Sequence, residues 1–492
     1  MPFAMWLRGE RVQGENIIAS LTGDTPDSVS VMAHYDGQTT SHQAAEDNAS
    51  GVGVLLELAR VLYARPHRRG LILIASDAEE WGMIGARALG GFLRAKNTVA
   101  VISIDYLNRG SAPALGIDCM GQSAGYTPLW LRELVVEAGH VQGVRVEQAA
   151  PAWEFVERAV EVSAQDQGPL LRERIPALNI ATLTKEYDAS RLRYHATLDV
   201  FQDFDSASFK MLGATVEQAI VKFDSLPPVV SGGMTYLRVS TRRYLPGDRL
   251  RLALTLPILP IALAGLLAAL NLATELRSPW SMLLRPLAYA VPPWLALAVL
   301  YALTGANILK RWELYPATPK DPFLYQIPRG VALPLLLALV AGYLVVRWLC
   351  TRFRVFGPFD ARPPSLADHS RALYVWLCFV CVCAFLLNSF AMWFYLGPFA
   401  FAALLLVRRC RPLVRGFNAL LLLIAVLPFL ALLYRFGSEI FLGWRIAWYL
   451  VLQAAYGVWS PFAAILFLLA VVLWLRFLAI FVLDPEGSES AA

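Results

Sequence analysis

The chain has 492 residues, enough for two or three domains, and 57% of them are hydrophobic; the mean hydropathy of +0.49 excludes a single soluble globule. The net charge of +5 hides an asymmetry, since residues 1–225 hold 20 Lys+Arg against 28 Asp+Glu and the remainder holds 23 against 10. That basic surplus lies in short segments between apolar stretches, which is the pattern of a membrane orientation signal and not a nucleic-acid footprint, so no nucleic-acid partner is expected.

In chain order, "ENIIAS" reads as a first strand, followed by the aliphatic runs "VSVMAH", "GLILIAS", "VAVISID" and "PALNIATL", all of strand length. Helical patterns such as "GVGVLLELARVLYA" and "TPLWLRELVVEAG" separate them. This alternation predicts an α/β domain with a mostly parallel, mixed sheet covered by helices. "SASFKMLGATVEQAIVKF" closes the domain near Phe223, and the Pro and Gly of "DSLPPVVSGG" break the pattern as a linker does. The predicted organisation is a first domain over 1–225, a linker over 226–251, an all-α transmembrane domain over 252–483 and a polar tail over 484–492.

From Leu252 the apolar runs lengthen to about 17–23 residues, enough to cross a hydrocarbon core of ~30 Å as helix. Eight spans are predicted, near 252–273, 286–304, 331–349, 372–390, 392–407, 417–434, 440–456 and 462–483. The fifth and seventh are the weakest, the seventh being interrupted by Arg445 and Gln453. Arg277 and Arg285 follow the first span, five arginines from Arg347 to Arg371 follow the third, and Arg408, Arg409, Arg411 and Arg415 follow the fifth. By the positive-inside tendency these three loops are cytoplasmic, which puts the acidic first domain on the extracytoplasmic side of a multi-pass protein in the lipid bilayer. "MPFAMWLRGERVQGENIIAS" holds no apolar segment that would carry the domain across, so the expectation includes a truncated N-terminus; the four arginines from Arg242 to Arg251 argue mildly the other way. Cys119 is the one cysteine of the acidic half, and no disulfide framework follows; Cys378, Cys381 and Cys383 stand in an apolar run without His or carboxylate and read as small buried side chains.

The strand "VSVMAH" ends in His34, "GLILIAS" leads to Glu79 and Glu80, and "VAVISID" ends in Asp105. Three strands thus deliver metal-competent residues to their carboxyl ends, the edge of an open α/β sheet where ligands bind. Asp47 opens the helix after the first of these strands, and His195 follows "PALNIATL" and a polar loop. Two imidazoles and carboxylates converging on one crevice suit two zinc ions bridged by a shared carboxylate. Anionic ligands offset the repulsion between the cations, and neutral histidines keep the charge from overshooting. Glu79, beside Glu80 but pointing elsewhere, is the candidate general base, and Asp36 the candidate partner that orients His34. Each residue alone has an ordinary reading: a core histidine, a helix N-terminal acid, an acidic first turn. His42, His67, His140 and His369 read as surface or loop histidines, and Asp199 and Asp205 as charges capping the closing helix.

"VMAHYDG", "AEDNASGVGVLLELAR", "ASDAEEWGMIGA", "SIDYLNRG" and "YHATLD" resemble, in order, the metal-site segments of the co-catalytic di-zinc aminopeptidase family over most of residues 15–225. The catalytic domain followed by spans is similar to the membrane-anchored branch that includes the endoplasmic-reticulum metallopeptidases. The resemblance implies His34 and Glu80 as terminal ligands of different ions, Asp47 as the bridge, Asp105 and His195 as the remaining ligands, and Glu79 as general base. It departs at "AQDQGPLL", where Asp166 is kept but Gln167 stands in place of a His lining the substrate pocket, and at Ala196, where Thr is common; Asp166 and Gln167 are the candidate substrate contacts. The implied function is a membrane-anchored zinc aminopeptidase acting on peptides. A single-zinc glutaminyl-cyclase-like enzyme and a non-catalytic receptor or scaffold are the alternatives, against both of which the full ligand set counts. A transporter is disfavoured because, apart from Arg445 and Arg476, the spans carry scarcely any charge.

Overall fold

The computed structural model describes residues 1–306 apart from 8–9, 40, 107–113, 123–124, 161–162, 164, 184–194, 203–205, 227–235, 241–242 and 276–278, and beyond these 308–309, 329–353, 366–391, 459–478 and isolated residues between 420 and 455. The chain divides into two compact units, one holding Met1–Leu250 and one starting at Arg251. The first unit opens with a hairpin of β1 (Pro2–Leu7) and β2 (Glu10–Glu15), then runs β3 (Ile17–Leu21), β4 (Ser28–His34), α1 (Ser50–Leu62), β5 (Gly70–Ser76), α2 (Ile84–Ala95) and β6 (Thr98–Ile104). It continues through β7 (Ala114–Asp118), α3 (Leu129–Val141), β8 (Val146–Glu147), α4 (Pro151–Val160), α5 (Gln167–Arg172), β9 (Ala177–Leu183), α6 (Ser206–Ser225) and a second hairpin, β10 (Tyr236–Ser240) with β11 (Arg243–Pro246).

Seven strands form one mixed sheet in the order β3-β5-β4-β6-β9-β7-β8. The centre, β5-β4-β6-β9, is parallel, while β3 and β7 run antiparallel to their inner neighbours. Every residue of β4 is buried, as a central parallel strand covered by helices on both faces requires, and before His34 the strand holds only apolar residues and the small Ser28 and Ser30. α1 turns Val54, Leu55, Leu58 and Leu62 inward and leaves Leu56, Glu57 and Arg60 exposed, the 3.6-residue spacing of a one-sided helix. Each of those four aliphatic side chains contributes roughly 1.5–3 kcal/mol by leaving water. They join residues of α3 and α6, including Leu131, Val135, Leu212 and Phe223, in one core. Val31 pairs with Leu73 on one side and Ile102 on the other, so β4, β5 and β6 end together and their carboxyl ends share one edge.

The expected α/β architecture with a mixed sheet is what the structure contains, with the parallel strands where the apolar runs placed them. Two differences stand out: the β1–β2 hairpin precedes the strand expected to be first, and at 226–251, which reads as a linker, the second half is the β10–β11 hairpin, with Tyr236 only 2% exposed. The Tyr236 hydroxyl donates to Thr127 O (3.2 Å) and accepts from Arg132 Nη1 (3.2 Å), and its ring meets Tyr126 edge-on at 6.1 Å.

In the second unit the described helices are apolar. Gly247–Thr274 and Gly330–Leu349 are each long and apolar enough to cross a membrane, and Met282–Ala288 with Val291–Gly305, bent by 45°, is a third if the pair forms one span. Pro292 and Pro293 stand in the first turn of the second half of that pair, where proline is tolerated. Arg371–Leu387 and Pro461–Phe477 are shorter apolar helices. These helices overlap the first four and the eighth predicted spans, while 392–407, 417–434 and 440–456 fall almost entirely outside the described residues. Leu259, Leu263, Leu266 and Leu270 are all more than half exposed along one helix, a face suited to lipid tails. Inside the unit, Leu373, Leu377, Cys378 and Cys381 pack with Leu466, Leu469 and Leu473, which fits the reading of these cysteines as small buried side chains. Gly265 meets Cys378 so closely that a Cβ there would stand 2.6 Å from the cysteine's own Cβ.

Candidate metal centre

His34 is the last residue of β4, Glu79 and Glu80 follow β5 by three and four residues, and Asp105 follows β6 directly. Asp47 enters from an irregular turn, Ala45–Ala49, that runs into α1, and His195 from the segment before α6. His34 Nε2 is 3.1 Å from Asp47 Oδ1 and 3.3 Å from Asp105 Oδ1. His195 Nε2 is 2.9 Å from Asp47 Oδ2 and 3.1 Å from Glu80 Oε2. The structure therefore brings together all five residues expected as ligands, in two groups, His34–Asp47–Asp105 and Asp47–Glu80–His195, within each of which the candidate atoms lie within 4.8 Å of one another. Asp47 is common to both, with one oxygen toward each imidazole.

The backbone is bent to aim these groups. Of seven described non-glycine residues with positive φ, five (Ala44, Ala78, Met83, Tyr106 and His195) lie within a few residues of a candidate ligand or are one. Such conformations cost of order 1–3 kcal/mol each and cluster where a site over-determines them.

Asp36 lies against His34, where a partner that orients the imidazole is expected, and does more besides. His34 Nδ1 meets the Asp36 main-chain carbonyl at 3.0 Å and its carboxylate at 3.5 Å. The carboxylate also accepts the amide N–H groups of Glu79 (3.0 Å) and Glu80 (3.1 Å) and so holds the turn that presents both acids. Gln38 donates to Glu80 Oε2 at 3.0 Å. Asp166 is buried, and its Oδ2 accepts from Ser76 Oγ (2.7 Å) at the end of β5. Gln167 is fully buried, and its amide donates to Met120 O and Ser163 Oγ, both at 3.2 Å, which makes it a wall residue.

Two polar residues of this region have roles that the sequence does not reveal. Asp199 is not a cap of α6: its Oδ1 accepts from the Glu46 amide (2.6 Å) and its Oδ2 from the Asp47 amide (3.3 Å). Asn48 donates to Ile104 O (2.8 Å) and accepts from the Gly51 amide (3.0 Å). The only sequence signal for Asp199 is its place four residues after His195. Asp205 lies outside the described residues. His67 is a loop histidine, as expected, but buried, with Nε2 at 2.9 Å from Leu62 O.

Acids outnumber bases here. Among the described residues no lysine or arginine pairs with Asp47, Glu79, Glu80, Asp105 or Asp166, all of them buried. Burial opposes charging His34, yet its hydrogen bonds with Asp105, Asp36 and Asp47 raise its pKa well above the usual range. Burial raises Asp47, but the two imidazoles beside it prevail and hold it below the ordinary range. Glu79 and Glu80 are pushed well up, first by burial and then by neighbouring carboxylates against the pull of His34. Asp105 is raised by burial against its bond with His34, and burial takes Asp166 to about 7 and Asp199 to about 6. A buried excess of carboxylates calls for cations. Glu80 Oε1 is buried without a hydrogen-bond partner among the described residues, and mixed imidazole and carboxylate donors match the ligand chemistry of zinc, so these residues fit a metal centre.

The model of peptidase family M28 matches residues 16–220, the stretch that carries all of these groups. This domain belongs to peptidase family M28. The M28 domain is 34% identical over 112 residues to the alkaline phosphatase isozyme conversion protein of Escherichia coli, a match covering 20% of this chain and 32% of the relative. It is 28% identical over 105 residues to a vacuolar membrane protease of Schizosaccharomyces pombe, covering 21% of this chain and 12% of that protein. Among solved structures, BSAP, a zinc aminopeptidase from Bacillus subtilis, overlaps 45% of this chain and 53% of its own, with 22% identity and a TM-score of 0.37. The chain thus spans about half or less of the length of each of these proteins. Peptidases of family M28 are the relatives of this domain, and the two groups of donors are where a metal could be held.

Proposed function

We propose that the chain is a membrane-anchored metallopeptidase of aminopeptidase type that holds two zinc ions and hydrolyses peptides from the N-terminus. The observation that carries this is Asp47, whose two carboxylate oxygens each face a different imidazole, with a further carboxylate, Asp105 or Glu80, completing each side. His34, Asp47 and Asp105 would hold one ion, and Asp47, Glu80 and His195 the other. When bound, such ions supply Lewis acidity and lower the pKa of water. Glu79 takes the proton of the attacking water and passes it to the leaving amine, a task suited to a carboxyl whose proton affinity burial raises. Asp36 keeps Glu79 and Glu80 in register by accepting both of their amides. Asp166, beside the cluster, is the candidate contact for the substrate's amine. Completeness of both donor groups favours this reading over a single-zinc cyclase or a non-catalytic scaffold.

The apolar helices of the second unit and a relative named as a membrane protease support an integral membrane protein. We place the M28 domain over 1–225, with the β10–β11 hairpin attached to it, and the membrane domain over 252–483 with about eight spans; the arginine-rich loops then set the catalytic domain on the extracytoplasmic side.

The test is metal analysis of the purified full chain together with hydrolysis of a panel of aminoacyl-amides, for the native protein and Glu79→Gln. We expect about two zinc ions per chain in both, and a rate at least ~100-fold lower in the variant, the low end for a lost general base. Native-level activity in Glu79→Gln, or a chain that binds no zinc, would overturn the reading.

A further inference from the structure

Asp199 is 1% exposed, beside two other acids, Glu46 and Asp47, a costly place for a third carboxylate. Its two oxygens explain why an acid stands there. Oδ1 accepts the Glu46 amide at 2.6 Å and Oδ2 the Asp47 amide at 3.3 Å, so two consecutive N–H groups meet two acceptors. An asparagine would offer one acceptor and turn an NH2 group toward the other N–H.

The turn needs this support because it is not regular helix. Asp47 (φ −129°, ψ 86°) and Asn48 (φ −140°, ψ 36°) leave helical geometry, and Ala44 before them has φ +45°. Its own main chain contributes Ala49 N–H to Ala44 O (2.9 Å) and the Ser50 amide to Ala45 O. The amides of Glu46 and Asp47 point out of the turn and are taken by Asp199, which lies 153 and 152 residues further along the chain. Two side-chain bonds clamp the same segment from other directions: Asn48 donates to Ile104 O at the end of β6, next to Asp105, and Gln43 Oε1 accepts the Phe201 amide at 2.7 Å. The segment that carries His195 therefore grips the turn that carries Asp47 through its main chain, in addition to the contact between the two side chains.

We infer that Asp199 is a positioning residue that fixes the Asp47 main chain so that each carboxylate oxygen faces its own imidazole, and that it thereby governs loading of both metal positions at once. This rests on the two-ion reading of the site. Its signature is the pairing of effects, since Asp47 is the residue shared by both donor groups. Gln38 is the internal contrast: it touches Glu80 Oε2, a member of one group only.

The experiment strips the purified full chain of metal with a chelator and titrates it with Co2+ and Zn2+, following the two binding steps by calorimetry and by the Co2+ absorption bands. Near-UV circular dichroism reports whether each variant keeps its native packing. Asp199→Ala is expected to weaken both steps together by about 10–100-fold, the usual range for a residue that orients a ligand. Asp199→Asn, which keeps one acceptor, is expected to weaken both steps less, and serves in place of the alanine variant if that fails to fold. Gln38→Ala is expected to weaken one step and leave the other unchanged. Native affinity at both steps in the Asp199 variants, or loss confined to one step, would overturn the inference. A native protein that shows fewer than two steps would instead overturn the two-ion reading beneath it.

Discussion

Glu154 in α4 is fully buried and is the hub of a charged cluster that anchors the β10–β11 hairpin. Its Oε2 lies 2.8 Å from Arg132 Nη1, and its Oε1 lies 3.5 Å from Arg158 Nη2 and accepts the Arg238 amide at 3.3 Å. The Arg158 guanidinium lies over the rings of Tyr126 (3.8 Å) and Tyr236 (4.5 Å), which ties the hairpin to the same group. Glu154→Ala leaves Arg132 and Arg158, both largely inaccessible to water, without this counter-charge. Breaking a buried pair by removing one partner costs about 3–5 kcal/mol. For a unit of this size each kcal/mol moves the melting temperature by roughly 2–4 °C, so a fall of about 6–20 °C is expected. Glu154→Gln keeps an acceptor for the Arg238 amide and should fall between the two. Glu147→Gln is the control, because the Arg145–Glu147 pair is solvent-exposed and such pairs contribute about 0–1 kcal/mol. The assay is thermal unfolding of the full chain in detergent, followed by near-UV circular dichroism. If Glu154→Ala melts within about 2 °C of the native protein, or no lower than Glu147→Gln, the cluster does not hold the hairpin in place.

Glu157 accepts a hydrogen bond from the Tyr126 hydroxyl at 2.9 Å, yet burial, reinforced by nearby Asp118, raises its pKa to about 8. Between the unfolded value near 4.5 and that folded value the native state holds a proton that the unfolded chain has released, so this group lowers stability as pH rises through the window, by on the order of a few kcal/mol. Glu157→Gln removes the loss: its melting temperature relative to native should climb from pH 4.5 to pH 8 and then level off, and a difference flat with pH would sink the assignment. The orientation of the second unit is open to a direct check. A fluorescent reporter fused after Phe353, in the arginine-rich loop behind the third predicted span, should report the cytoplasm, and a signal on the opposite side would reverse the proposed topology.

What the amino-acid order revealed, and what it hid, follows from how far apart the interacting groups are. The central strands were legible because a strand buried on both faces must be an apolar run, and His34 and Asp105 were legible because they close such runs at the edge where an α/β sheet binds ligands. Asp199 was misread because its partners are main-chain amides more than 150 residues away, and an amide has no letter in the sequence. The bends that aim the donors were hidden for a related reason. Ala44, Ala78, Met83, Tyr106 and His195 take up positive φ without being glycine, so no turn residue announces them, and the surrounding packing bears the cost. The second hairpin was hidden because "YLRVSTRRYLP" carries three arginines next to an apolar run and so reads as a basic flank of a membrane span. Its burial comes from Tyr236 and Arg238 meeting Arg132 and Glu154, which are buried polar residues in helices that composition alone assigns to the surface. The donor constellation could be found one segment at a time because each segment bears a chemically distinctive residue, whereas the framework that aims it is made of main-chain contacts that appear only when the chain is folded.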